Sequence, residues 1–208
     1  MANRAGPVLP AKEGGNMLPV SGYQDFINKF HQVKDRSRLY VFILFDDRPS
    51  HHAIQKFVDE SFGWLDSLAA AANMFGFAFL HREENTGNVV NPSLKVASLF
   101  GIRPNQLPGV VVFTMLPDSE SISEAIFLPL KARLFSEDIS VVEEVFADLF
   151  ALFQEAQATT INREELLAKL RDKISSLNRR QILRPIMTFL GERLVSLAKL
   201  PDKLLEAM

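Results

Sequence analysis

The sequence predicts an α/β domain, a mixed sheet of about four strands flanked by helices, followed by a helical C-terminal extension. Three observations lead to it. Four short runs are almost wholly apolar, and the first three are separated by segments with helical apolar spacing. The third and fourth runs are joined by a turn too short to hold a helix. The last part of the chain is patterned as helix again, interrupted by Pro185 and Pro201.

Residues 1–20 contain Pro7, Pro10 and Pro19 with three glycines and read as a flexible leader. Ser21 is a candidate cap for a first helix with Tyr23, Phe26, Ile27, Phe30 and Val33 on one face. "RLYVFILF" (38–45) is a continuous apolar run, the mark of a central strand covered on both faces. From Ser50 to about Phe75 the pattern is helical, through Ile54, Phe57, Val58, Phe62, Leu65, Leu68, Ala69 and Ala72, with Gly63 marking a possible bend. "FGFAFLHRE" (75–83) is a second strand. "NPSLKVASLFGI" (91–102) is a short helix with Asn91 as N-cap, Pro92 at the first helical position and Gly101 at its end. "PGVVVFTML" (108–116) and "SEAIFLPLK" (123–131) are the third and fourth strands, and Pro129 suggests that the fourth lies at a sheet edge. Residues 136–156 form an amphipathic helix with Val141, Val142, Val145, Phe146, Leu149, Phe150 and Phe153 toward the core, and "QATT" ends it. Intervening helices make the first strands parallel, and the short 116–123 turn makes the last two antiparallel.

Composition is that of an ordinary globular protein of 208 residues, 47% hydrophobic and 23% charged, with 17 Phe. A Phe bias suits a dry core. The net charge of −2 gives no global field for nucleic acid. It is unevenly spread: residues 1–160 carry 13 basic and 19 acidic residues, a net of −6, and residues 161–208 carry 10 and 6, a net of +4. A basic tail on an acidic body can attract an acidic partner or a membrane surface, or be a solvated helical face. The absence of cysteine excludes disulfides, thiolate nucleophiles and Cys-ligated zinc or iron–sulfur sites. The N-terminus has no long apolar segment of the secretory kind and no run of 18 apolar residues occurs, so a cytoplasmic protein is expected.

The order of elements, with "NPSLKVASLFGIRPNQLPGVVVF" as its most specific stretch, resembles the thioredoxin fold over about residues 21–156. The matching positions are Asn91-Pro92, Ala97, Phe100-Gly101-Ile102-Arg103 and Pro108 ahead of the apolar run Val110 to Phe113; about two additional residues within "PNQL" depart from the pattern. The resemblance implies a cis peptide bond before Pro108, beside the family's active turn. Proline lowers the cost of such a bond to roughly 0.5–1 kcal/mol. It also places the family's Cys-x-x-Cys motif near Ser50-His51-His52-Ala53, to within a residue. With no thiol there, dithiol–disulfide chemistry is impossible.

Other chemistry at this turn has weak support. Ser50 beside His51 and His52 invites a nucleophile reading, but sequence neighbours at a helix start diverge, and a Ser at that place is far more often a helix cap. Asp46, Asp47, His51 and His52 are a conceivable metal set, yet adjacent histidines point to different faces of a helix and no i,i+4 pair forms. The two aspartates are expected to complement the helix N-terminus or to solvate the turn. Ser50, His51, His52, Leu107 and Pro108 remain as a candidate ligand-binding set, with no metal and no cofactor expected.

The tail "RRQILRPIMTFLGERLVSLAKL" (179–200) is a basic amphipathic pattern. Its Ile182, Ile186, Phe189, Leu190, Arg193, Leu194 and Leu197 are candidate partner-binding residues on a helix. The domains expected are thus a 1–20 leader, a 21–156 thioredoxin-like domain and a 157–208 helical extension. The function expected is a redox-inactive binding or assembly module, whose partner is another protein or a second copy. A cysteine-independent enzyme or small-ligand binder at the 46–52 turn, and a membrane-peripheral protein, are the alternatives.

Overall fold

Parallel and antiparallel strands share one sheet at the centre of the computed structural model, which describes residues 15–33, 39–80, 92–115, 122–137, 139–160, 165–170, 174 and 188–190. Five strands form its body: β1 (Met17–Val20), β2 (Tyr40–Leu44), β3 (Phe75–Phe79), β4 (Gly109–Met115) and β5 (Ile122–Pro129). Their order is β1-β3-β2-β4-β5, and a three-residue strand, β6 (Thr188–Leu190), lies beyond β5. Strands β1, β3 and β2 are parallel, whereas β4, β5 and β6 each run antiparallel to the strand before them in the sheet. The helices are α1 (Tyr23–Val33), α2 (His52–Glu60), α3 (Phe62–Ala71), α4 (Pro92–Leu99), α5 (Leu134–Glu137) and α6 (Ile139–Thr159).

The continuous apolar runs are explained by burial on both faces. Along β2, Tyr40, Phe42 and Leu44 enter one core layer, and Val41 and Ile43 enter the other. Strand β4 divides in the same way, with Val111 and Phe113 opposite Val110 and Val112. The period of two is intact, but both phases of it are apolar. The layer beneath α1 and α4 is strongly aromatic. Phe26 meets Phe42 edge-on at 4.9 Å and Phe77 edge-on at 5.2 Å, the arrangement that aromatic quadrupoles favour. The other layer packs α2, α3, α5 and α6 against the sheet, and Trp64 on α3 meets Phe57 on α2 there.

Local signals act largely as expected. Gly101 ends α4 with φ at 66°, and the N–H of Ile102 closes back on the Ala97 carbonyl at 3.0 Å. The helical stretch after Ser50 is two helices, which part at Ser61 near the marked Gly63. At the end of α3, Asn73 takes the left-handed conformation (φ 51°), and Gln157 of α6 donates its amide to the Ala72 carbonyl. Ser21 does not cap α1 through its oxygen. Its backbone N–H and hydroxyl both donate to Asp25 Oδ2, at 2.8 and 2.9 Å.

Four expectations need correction. The sheet has five main strands and a short sixth, because Met17–Val20, placed in the leader, form β1. Four residues with an internal proline look like loop, yet an edge strand tolerates a proline. Gly76 of β3 leaves the space in which the Met17 sulfur sits. Next, α6 continues through the expected break to Thr159. The boundary at residue 156 also falls inside the core: Leu166, Leu167 and Leu170, on helical residues 165–170, and Ile174 belong to the α6-side layer. Finally, Phe189 and Leu190 lie on a strand, opposite Ile126 and Ala125 of β5, and not on a helix. An available strand edge outweighs a helical spacing that three residues cannot enforce. Ile182, Ile186, Arg193, Leu194 and Leu197 lie outside the described residues. The edge position expected of the fourth strand from Pro129 is met only in part: β6 lies beyond β5, and Pro129 falls outside the three residues that pair with it. Among the described residues no helix is long and apolar enough to cross a membrane.

Candidate functional site

The C-terminal end of β2 delivers the chain to a tight turn. Phe45 and Asp46 are still buried, and Asp47, Arg48, Pro49 and Ser50 emerge into solvent. Pro49 opens a single 3-10 turn, Pro49–His51, closed by the His51 N–H donating to the Arg48 carbonyl at 2.7 Å. Helix α2 then starts at His52. Ser50 is therefore inside the 3-10 turn and caps nothing; the residue at the cap position of α2 is His51, with no side-chain cap bond. Ser50 already lies within the 3-10 turn, and the extended backbone of a cap belongs to Arg48, ahead of Pro49.

The two histidines diverge as adjacent residues on a helical turn must. His51 is 2% exposed, while His52 faces outward. His51 Nδ1 lies 2.6 Å from Asp46 Oδ1 and 3.3 Å from the Asp46 backbone nitrogen. The shorter contact assigns the Nδ1 proton to the carboxylate. The same carboxylate gathers Arg48: its backbone N–H donates to Oδ1 at 3.1 Å, and its Nε stands 2.9 Å from Oδ1 and 2.7 Å from Oδ2. Arg48 Nη2 reaches across to the 104–107 segment and donates to the Pro104 carbonyl at 2.8 Å.

That segment is held from its own side. The Gln106 side-chain oxygen accepts the Arg103 N–H at 2.8 Å. The Leu107–Pro108 peptide bond is cis, as the sequence resemblance implies. The Pro108 carbonyl accepts the Leu130 N–H at 2.8 Å, which anchors the entry to β4. Leu107 and Pro108 are both buried.

The electrostatics follow from this packing. Burial works against the Asp46 anion, but hydrogen bonds from Arg48 and the charges of Arg48 and His51 outweigh it and hold the carboxyl below its ordinary range. Burial lowers the His51 pKa and the Arg48 charge adds to this; Asp46 and hydrogen bonding to the Leu107 backbone oppose the shift without reversing it. His51 therefore takes up a proton less readily than an exposed imidazole.

Of the candidate ligand set, the structure brings together His51 and the Leu107 backbone. Ser50 and His52 are exposed, and Pro108 is buried. A carboxylate on His51 Nδ1 is half of a nucleophile-activating arrangement, but the ring is buried whereas Ser50 is exposed. Among the described residues no three metal-ligating side chains come together. Two members of the cluster, Asp46 and Arg48, were not singled out as partners by the sequence. An Asp at a strand end, with Arg two residues on and His five residues on, is their only trace in it. What the cluster does chemically is fasten the end of β2 and the start of α2 to the 104–107 segment.

Compared with protein-family models, with characterised proteins and with solved structures, the chain matches none.

Proposed function

We propose that this protein is a thioredoxin-like domain without dithiol chemistry, working as a binding or assembly module through protein–protein contacts that involve its tail. One observation carries the reading. Where the resembled family keeps its thiols, at the start of α2, this chain keeps the Asp46–His51–Arg48 cluster, in which the buried Asp46 and His51 face each other and the more exposed Arg48 holds both Asp46 and the Pro104 carbonyl. A turn so occupied is a fastener, and a module is what such a scaffold becomes when its reaction centre is gone. The strand order β1-β3-β2-β4-β5 supports the same reading.

The test uses the full chain as bait beside a chain carrying Phe189→Asp and Leu194→Asp. The reading expects a stoichiometric complex, or self-association, that purified components reproduce and the double variant loses while keeping its circular dichroism and melting temperature. Turnover of a small substrate at the 46–52 turn, or equal assembly by both chains, would overturn it.

A further inference from the structure

His51 sits where three parts of the chain meet. The end of β2 supplies Asp46, the start of α2 has His51 at its cap position, and the 104–107 segment meets the ring with the Leu107 backbone. Among the described residues, the charged side chains that act on the ring are Asp46 and Arg48. On α2 the neighbouring His52 is exposed, and the 104–107 segment brings no charge to the ring.

With His51 neutral, the Asp46 and Arg48 charges cancel within the cluster. A proton on the ring makes two cations share one carboxylate, and burial has removed the water that would stabilise the excess charge. The two cations are not equally placed. The His51 side chain is 3% exposed and that of Arg48 is 44% exposed. Arg48 is therefore the one that can leave for solvent at little cost. Its charge is among the causes that lower the His51 pKa, so the ring binds a proton more tightly once Arg48 has left.

Arg48 does not leave alone. Its Nη2 donates to the Pro104 carbonyl at 2.8 Å and lies 3.4 Å from the Leu107 carbonyl oxygen. Pro104–Gln106 is a single 3-10 turn, with Pro104 and Asn105 exposed. The Leu107 side chain is buried in the layer beneath α1 and α4, which confines movement to the turn ahead of it. Leu44 at the end of β2 and Ile54 in α2 are fully buried and stay in place.

We propose that the cluster is an acid-operated latch: proton uptake by His51 displaces the Arg48 guanidinium from Asp46 and frees the Pro104–Gln106 turn that Arg48 straps. The end of the sheet then presents a free arginine and a loosened turn at mildly acidic pH, and a closed surface at neutral pH. This goes beyond the module reading and does not depend on the tail.

Hydrogen exchange of the full chain at pH 7.5 and pH 5.5, corrected for the intrinsic effect of pH on amide exchange, tests the latch. Asp46 stays ionised over this range, because its carboxyl is held below the ordinary 3.8. The Gln106 and Leu107 N–H groups donate to the Arg103 and Pro104 carbonyls at 2.9 and 3.3 Å, and so short a turn does not persist unstrapped. Their protection should fall severalfold at the lower pH, while the Phe42 and Val111 amides of β2 and β4 keep theirs. A His52→Gln chain should respond as the unmodified chain does, and a His51→Gln chain should show no change. Equal protection of the turn at both pH values, or the same fall in His51→Gln, overturns the latch. A fall shared by β2 and β4 also overturns it, since the whole domain is then opening. A reciprocal measurement serves if His51→Gln does not fold. The His51 ring titration, followed by NMR, should move to higher pH in an Arg48→Gln chain. An unmoved midpoint overturns the latch.

Discussion

His51 Nδ1 sits 2.6 Å from Asp46 Oδ1, in a place where both side chains are more than nine-tenths shielded from water. Removing one partner of such a pair leaves the other buried without its complement. Asp46→Ala is expected to destabilise the domain by about 3 kcal/mol, since it strands His51 and releases Arg48 together. His51→Ala should cost less, because Arg48 still answers the Asp46 carboxylate. Chemical denaturation of the two variants beside the unmodified chain checks the order.

The same pair gives a pH dependence with a definite sign. The His51 pKa is depressed below its ordinary 6.5, so below that pH the unfolded chain binds a proton that the folded chain does not. Stability therefore falls as pH drops from 7 through 6. The depressed Asp46 pKa contributes stability that is present above its ordinary 3.8 and is lost as the pH falls through the folded value. His51→Gln should flatten the upper part of the profile and leave the acid limb. An unfolding series from pH 8 to 3 would show whether the two limbs separate in this way.

The tail's first helical residues are expected to be part of the domain. Leu166, Leu167 and Leu170 are fully buried. Leu170→Ala should cost about 2–5 kcal/mol, and ending the chain after Thr160 should lower the melting temperature by roughly 10 °C or more. Differential scanning calorimetry distinguishes this from a separable extension, which would leave the transition unmoved.

Gly109 opens β4 directly beneath the Phe127 ring, and a Cβ there would also stand 2.8 Å from the Leu128 carbonyl oxygen. Gly109→Ala is expected to destabilise by about 1–3 kcal/mol through overpacking. Gly76→Ala should be milder, because the nearest atom is the flexible end of Met17. The comparison is a pair of melting curves.

At the β1 edge of the sheet, Asp66→Ala with Pro19→Thr exposes two strand N–H groups where the Asp66 carboxylate, accepting the Met17 N–H, and one proline now stand. The double variant should remain folded and self-associate with rising concentration, which sedimentation velocity would detect.

How much of this was legible in the sequence depends on the length of each signal. Strands β2, β3, β4 and β5 were legible because burial on both faces leaves an unbroken apolar run, and α4 because its proline and glycine mark both ends. Strand β1 was not. Met17–Val20 is too short to show a period, and Pro19, which marks loops in general, here marks an edge. The Asp46–His51–Arg48 cluster was hidden because its residues look like a solvated turn; only the fold of Pro49–His51 turns the imidazole inward. The helical spacing of Phe189 and Leu190 could not reveal the pairing with β5, since that spacing says nothing about which backbone edge is free.

The division of the core into two layers has a practical consequence for optical work. The single tryptophan, Trp64, packs against the layer of α2, α3 and α6, whereas both tyrosines, Tyr23 and Tyr40, pack in the layer of α1 and α4. Indole emission therefore reports one side of the sheet and the phenol absorbance band the other, in the unlabelled natural chain. If the two sides melt as a unit, the two signals will superimpose; if one side loosens first, a single sample will show which.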